Sequence, residues 1–134
     1  MADRDWVRRW VAGYEEAWRS PGTDTLGQLF AEQVSYSPSP WAEPVRGLSA
    51  LRDFWERART GADEQFTMVS DLVAVDGTAA VVRVDVEYGS GDRWRDLWIL
   101  TFDPEGRCSA FQEWPFSPEQ KDGHELDGLP PKPS

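Results

Sequence analysis

Cysteine and histidine are almost absent from this sequence. Its 134 residues include one cysteine, Cys108, and one histidine, His124. A single cysteine excludes an internal disulfide and a cysteine-rich metal site. A single histidine, in a segment rich in proline and glycine, argues against a Ser-His-Asp triad and a multi-histidine metal site. Any catalysis therefore depends on carboxylates, tyrosines or arginines, and we expect neither a metal nor another cofactor.

Long apolar runs and an excess of basic charge are also missing. No apolar run approaches the roughly 18 residues of a membrane span, and charges begin at Asp3, where a signal peptide would need an apolar segment. Lys and Arg number 14 against 24 Asp and Glu, for a net charge of −10. Nucleic acid and anionic membranes are therefore poor partners, because both require a basic face. We expect a cytoplasmic protein.

Aromatic residues, in contrast, are abundant. The chain has eight tryptophans, six phenylalanines and three tyrosines. Its length suits one domain that buries about two-thirds of its surface. Large apolar rings in an otherwise polar chain indicate a dense core or a lined pocket.

Three helices are predicted in the first half of the chain, where apolar residues recur at three- and four-residue steps. They cover residues 3–19, 23–32 and 48–59. Asp3 is a suitable N-cap for the first helix. Three prolines limit residues 35–44 to a short strand followed by a loop.

The second half of the chain alternates apolar and polar residues with period two, which predicts strands. Four strands are expected, separated by short turns, at residues 66–75, 79–88, 94–102 and 108–116. Helices followed by an antiparallel meander predict an α+β fold with the helices on one face of a curved sheet. We expect one domain over residues 1–116 and a flexible Pro/Gly-rich tail over residues 117–134.

Several short segments, weak one by one, form a specific series by their order and spacing. They are Tyr14–Trp18, Leu29–Glu32, Val34–Tyr36, Glu43–Gly47, Phe54-Trp55, Arg95–Trp98, Phe102–Arg107 and Glu113–Phe116. In this series the chain resembles the nuclear transport factor 2-like superfamily, especially its SnoaL-like branch. The resemblance implies a cone-shaped α+β barrel with a deep apolar pocket and a homodimer formed through the sheet. The superfamily includes isomerases, epoxide hydrolases, polyketide cyclases and non-catalytic binders, so the fold does not fix the function.

Steroid-isomerase chemistry fits the sequence poorly. By its spacing, the tyrosine of that family matches Tyr14. The general base of that family falls on Pro38, however, and its second acid falls on Trp98. Neither side chain transfers protons, so we reject this mechanism.

Epoxide hydrolysis of the limonene type matches more positions. The resemblance aligns the Arg-x-Asp motif of that family with Arg83 and Asp85, its second carboxylate with Glu113 and its water-holding tyrosine with Tyr36. The partner asparagine of that family is missing here. Alternation offers a simpler interpretation of the motif, in which the neighbouring valines face the core and Arg83 and Asp85 face outward. A β-bulge would reverse these directions locally.

Glu113 is the strongest single candidate for a catalytic residue. The spacing of the family places it toward the pocket on the fourth strand, and Asp96 and Trp98 share the corresponding face of the third strand. Two carboxyls around one aromatic cavity would raise the pKa of at least one, giving an acid or base near neutral pH. The alternative for each carboxylate is an exposed or ion-paired position of little consequence.

The pocket wall is expected to be aromatic. The predicted wall residues, with Tyr14 among the candidate catalytic groups, are Trp10, Trp18, Trp55, Trp98, Phe111 and Phe30. An aromatic stripe on a helix is more often plain core. The number of indole N–H groups favours a cavity, however, because each is costly to bury without a partner.

The sequence thus favours a pocket protein for a small apolar or aromatic metabolite. Cofactor-free hydrolysis or cyclisation would use Glu113 with Asp85 or Asp96, helped by Tyr14 or Tyr36. The alternatives are a ligand-binding protein without catalysis and a protein-interaction module of the same fold.

Overall fold

Three helices and six strands make up the described part of the computed structural model, which covers residues 3–59 and 64–120. In chain order they are α1 (Arg4–Arg19), α2 (Leu26–Leu29), β1 (Phe30–Ser37), β2 (Val45–Arg46), α3 (Leu48–Ala58), β3 (Phe66–Asp76), β4 (Ala79–Tyr88), β5 (Arg93–Phe102) and β6 (Cys108–Phe116). Among these residues, no helix is long and apolar enough to cross a membrane.

The strands form a single curved sheet that does not close on itself. Their order is β2-β1-β6-β5-β4-β3. Strands β3 to β6 form the predicted antiparallel meander. The sheet as a whole is mixed, because β1 runs parallel to β6. The predicted α+β class with helices packed in a curved sheet is confirmed.

Helix α1 supplies much of the core. The Asp3 carboxylate accepts a hydrogen bond from the backbone N–H of Trp6 at 2.7 Å, so it caps the helix as predicted. One face of the helix is buried against the sheet, through Val7, Trp10, Val11, Tyr14 and Ala17. This amphipathic packing, rather than helix propensity alone, holds the helix in place.

The predicted second helix is the main error in the expected elements. Helix α2 has only four residues, and the chain continues from Phe30 as strand β1. Phe30 pairs with Cys108 of β6, and its side chain is fully buried. Pairing with β6 therefore outweighs the local helical pattern. The two-residue strand β2 was not predicted.

The strands present one face to the helices and the other outward. On β5, Asp96, Trp98, Leu100 and Phe102 are buried, while the residues between them are more exposed. The predicted tail begins at Ser117 with a short turn closed by the backbone N–H of Gln120. Its remainder, with His124, lies outside the described residues.

Candidate functional site

A cavity of about 200 Å³ lies between the helices and the inner face of the sheet. Helices α1 and α3 contribute one side, and strands β1 and β3 to β6 contribute the other. Its lining residues are Tyr14, Trp18, Tyr36, Phe54, Ala58, Phe66, Met68, Val86, Tyr88, Asp96, Trp98 and Glu113. Two carboxylic acids thus stand in a wall that is otherwise aromatic and aliphatic, apart from the hydroxyls of three tyrosines and the N–H groups of two indoles.

The register of β5 and β6 brings the two carboxyls together. Trp98 pairs directly with Glu113, and Asp96 pairs with Pro115. Asp96 and Glu113 are therefore diagonal neighbours on the same face, a separation that long side chains can span. Asp96 is 5% exposed. The structure thus joins two of the predicted catalytic residues in one site.

Both carboxyls bind protons more tightly than exposed acids do. Burial raises the pKa of Glu113 well above its usual value of 4.5, and the neighbouring Asp96 raises it further. Burial also raises the pKa of Asp96, while interactions with Glu113 and with the Trp98 indole counteract part of that rise. Two neighbouring acids at a site of this kind do not both ionise readily. Glu113 therefore favours its protonated form more than an exposed glutamic acid does.

A pair of tyrosines stands beside the carboxyls. The hydroxyls of Tyr14 and Tyr36 lie 3.2 Å apart in a buried hydrogen bond. The Phe111 ring is nearly parallel to both tyrosine rings, with interplanar angles of 3° and 6°. Burial is the largest cause that raises the pKa of each tyrosine well above 10, with the two acids adding to it. Both hydroxyls therefore stay protonated. One of them donates its hydrogen to the other, and the accepting hydroxyl keeps its own hydrogen for a ligand.

Tyr88, in another part of the wall, lies near an acid, Glu64, and sequence analysis missed both residues. Burial, followed by the nearby Glu64, raises the pKa of Tyr88 to about 12. The Trp18 indole donates a hydrogen bond of 3.4 Å to Glu64 Oε1. Tyr88 continues the alternation of inward residues on β4, and this periodicity was the signal that could have identified it.

Arg83 and Asp85 lie on the opposite face of the sheet from the cavity. Arg83 contacts Asp71 at 3.1 Å, and Asp85 lies 3.9 Å from Arg95, in pairs whose side chains are about half or more exposed. Between them Val84 is fully buried. The ladder between β4 and β3 stays regular at these positions, so the strand keeps its simple alternation here. The Arg-x-Asp match therefore does not contribute to the site.

Four of the predicted wall residues pack behind the cavity lining as core. They are Trp10, Trp55, Phe111 and Phe30, all at most 3% exposed. Their rings contact one another or the tyrosines, and Trp10 donates its indole N–H to the Leu29 carbonyl at 2.8 Å. Trp18 and Trp98 do line the cavity, with Tyr14 and Tyr36. The inner side of the domain is therefore two aromatic layers deep.

The remaining lining residues come from α3, β3 and β4. Phe54, Ala58, Phe66, Met68 and Val86 were not predicted as wall residues, although their inward positions follow from the same periodicity. No group of three or more His, Cys, Asp or Glu side chains that could hold a metal ion occurs within residues 3–59 and 64–120.

A second, larger depression of about 390 Å³ lies where strands β3 and β5 begin and strands β4 and β6 end. It is lined by Val69, Trp94 and Phe116 together with charged residues, including Asp85 and Arg95. These two charged side chains are exposed and lie 3.9 Å apart on neighbouring strands. The smaller inner cavity contains the two acids whose pKa values are raised and is therefore the better candidate for chemistry.

Comparison with known proteins agrees with this architecture. The family model of the SnoaL-like domain matches residues 7–111. No curated protein is significantly similar in sequence. Among solved structures, one similar protein is SalBIII, an epoxide hydrolase/cyclase-like enzyme with a role in pyran ring formation in the polyether salinomycin. The two sequences are 19% identical, and the TM-score is 0.69. The match covers 87% of this chain and 95% of SalBIII.

Two further structures show the same fold. A steroid delta-isomerase from Pseudomonas aeruginosa is 15% identical with a TM-score of 0.62, covering 85% of this chain and 81% of the other. An LEH-like epoxide hydrolase from M. tuberculosis is 14% identical with a TM-score of 0.57, covering 81% and 80%. At these identities the likeness concerns the fold alone.

Proposed function

The chain belongs to the SnoaL-like domain family, and from this premise we propose that its inner cavity binds a small uncharged molecule on which Glu113 and Asp96 act as general acid and general base. The observation that carries this proposal is the pair of adjacent carboxyls in the cavity wall, of which Asp96 is buried and Glu113 partly buried. Structural neighbours named as an epoxide hydrolase/cyclase-like enzyme and a steroid isomerase support acid–base chemistry without fixing the reaction.

The two acids have complementary roles. Asp96, as the carboxylate, accepts a proton from the attacking O–H group, while Glu113 donates its proton to the oxygen that leaves its carbon. Afterwards Asp96 holds the proton and Glu113 is ionised, so the pair again has one proton and proton exchange between the two acids restores the starting state. In the Tyr14–Tyr36 pair, the hydroxyl that accepts the hydrogen bond between them can donate its own hydrogen to negative charge that develops on oxygen.

The cavity also limits the substrate. Its volume of about 200 Å³ is below the roughly 300–1,000 Å³ of pockets for drug-sized ligands. Its lining residues include two acids and no Lys, Arg or His, so an anionic ligand would have no counter-charge there. A small, largely apolar molecule with one or two oxygen functions fits best. Hydrolysis of an epoxide or cyclisation of a hydroxy-epoxide requires this combination of acid and base.

The test is a turnover assay with cyclohexene oxide, limonene oxide and a hydroxy-epoxide as probes. Glu113→Gln and Asp96→Asn should each lower the rate by roughly a hundredfold or more, while Asp85→Asn on the outer face should leave it unchanged. Each variant should keep the wild-type circular dichroism spectrum. Equal rates for wild type and Glu113→Gln would refute the catalytic role. Saturable quenching of tryptophan fluorescence by these probes without product would favour the non-catalytic binder.

We also propose that the outer face of the sheet forms a homodimer. This face exposes six apolar side chains, namely Val69, Val73, Leu97, Ile99, Trp114 and Phe116. Exposed apolar patches commonly mark interaction sites. Charges of both signs accompany them in cross-strand pairs, an arrangement that a second copy can match about a two-fold axis.

Sedimentation equilibrium tests the dimer directly. Ile99→Arg places a charge at the exposed patch and should give a monomer. Asp53→Arg, on the exposed side of α3, introduces the same side chain elsewhere and should leave the dimer intact. A wild-type protein that is monomeric at high micromolar concentration would contradict this proposal.

A further inference from the structure

Three buried polar atoms of side chains stand out in the described part of the chain, because they have no hydrogen-bond partner there. They are Trp55 Nε1, Asp96 Oδ1 and Trp98 Nε1. Buried polar groups in folded proteins are nearly always satisfied, so each exception calls for an explanation. Two of the three belong to residues that line the cavity, and those two residues are neighbours on the inner face of β5.

The two cavity atoms have opposite hydrogen-bonding character. The Trp98 indole N–H is a donor only, and Asp96 Oδ1, as part of a carboxylate, is an acceptor. The indole is close enough to the carboxyl to influence its proton affinity, yet neither Nε1 nor Oδ1 has a bond of standard geometry. A carboxylate has about four lone-pair sites, so contact with Glu113 leaves Asp96 able to accept a further hydrogen bond.

One chemical group can satisfy both atoms at once. A hydroxyl accepts a hydrogen bond from Trp98 and donates one to Asp96. A ketone or ether oxygen accepts a hydrogen bond from Trp98 but has no hydrogen to donate to Asp96, and a hydrocarbon can do neither. We propose that Asp96 Oδ1 and Trp98 Nε1 form a subsite for a hydroxyl group of the ligand, so that the cavity selects alcohols over ketones and hydrocarbons of the same shape.

This subsite rests on the proposed function and makes it more specific. The hydroxyl held by Asp96 is the group from which the general base would remove a proton, so Trp98 is a positioning residue for the nucleophile. A water molecule has the same hydrogen-bonding character as an alcohol. The experiment therefore has to distinguish a hydroxyl of the ligand from a bound water.

Calorimetric titration with 2-indanol, 2-indanone and indane tests the subsite, because the three probes share a ring system and differ in their polar group. The alcohol should bind about tenfold more tightly than the ketone, which leaves Asp96 unpaired, and the ketone should bind more tightly than indane, which leaves both groups unpaired. Trp98→Phe should remove most of the preference for the ketone over indane. Trp55→Phe is the matched control, because it removes an unpartnered indole N–H behind the cavity lining and should leave the preference unchanged.

Comparing probes within each variant makes the result independent of a general loss of stability. Equal binding of alcohol and ketone by the wild type would indicate a retained water and overturn the subsite. Weakening of all three probes by the same factor in Trp98→Phe would show that the indole acts through its shape, which also overturns it. Binding of none of the probes would contradict the cavity as a ligand site. Loss of turnover in Glu113→Gln, with the preference for the alcohol intact, would support both proposals. Unchanged turnover in that variant, with the same preference intact, would refute the catalytic role of Glu113 and leave the subsite standing.

Discussion

Replacing Glu113 by glutamine should stabilise the protein in a way that depends on pH. The folded state raises the pKa of Glu113 above 4.5, so it retains a proton that the unfolded chain has released. In the wild type this group therefore stabilises the fold fully below about pH 4.5, and the stabilisation is lost as the pH rises toward the folded pKa. Glu113→Gln removes this dependence while keeping nearly the same shape.

The expected size follows from proton linkage. With one proton bound in the folded state and none in the unfolded state, the free energy of unfolding falls by about 1.4 kcal/mol per pH unit. The variant should therefore gain on the wild type with a slope approaching that value, beginning just above pH 4.5 and levelling beyond the folded pKa. Because burial is a larger cause than Asp96, Asp96→Asn should narrow the pH range over which this slope acts without abolishing it.

Urea unfolding followed by tryptophan fluorescence, from about pH 4.5 to about pH 8.5, measures the effect. Glu32→Gln is the control, because Glu32 is exposed on β1 and its replacement should give a difference that does not vary with pH. A Glu113→Gln curve parallel to that of the wild type over the whole range would refute the inference that this carboxyl is buried and protonated.

Three further substitutions test other parts of the structure by urea unfolding. Arg59 is buried and donates to backbone carbonyls at the end of α1 and in the following turn. Arg59→Ala should lower the free energy of unfolding by about 3 kcal/mol or more, and Arg59→Lys should lower it by less. A loss below about 1 kcal/mol in Arg59→Ala would contradict this capping role. Gly106 has a φ of +82°, and an added Cβ would lie 2.7 Å from the Trp6 ring. Gly106→Ala should therefore lower the free energy of unfolding by about 1–3 kcal/mol. An unchanged free energy of unfolding would contradict this contact. Arg83→Ala should change stability by less than about 1 kcal/mol and leave turnover intact, because its ion pair is exposed; a large loss of turnover would return Arg83 to the site.

The sequence alone predicted the bounds of those helices and strands whose apolar residues recur with a clear period. Helices α1 and α3 and the four strands of the meander lie within one or two residues of their predicted bounds. Strand β1 was missed in part because its partner β6 is about 75 positions away in the chain, and a pairing at that distance leaves no local signal.

From the sequence, the face of the sheet on which each candidate residue lies could be predicted, but not whether its side chain reaches the cavity. The family resemblance turned Asp96 and Glu113 toward the pocket, which they line, and alternation offered the outward position that Arg83 and Asp85 occupy. It did not distinguish an inward ring that touches the cavity from one that packs behind it, because periodicity defines a face and not a layer. Trp55 therefore joined the predicted wall although it belongs to the core.

The central claim is that Glu113, beside the Asp96 carboxyl, has a pKa well above 4.5 and can therefore act as a general acid. The most direct measurement is an NMR titration of the Glu113 side-chain carboxyl carbon in protein labelled at glutamate, with the signal assigned by its loss in Glu113→Gln. The structure predicts a midpoint well above 4.5, with a response in the same pH range from the Asp96 signal in aspartate-labelled protein. A Glu113 midpoint at or below 4.5 would contradict the raised pKa and the acid–base function that depends on it.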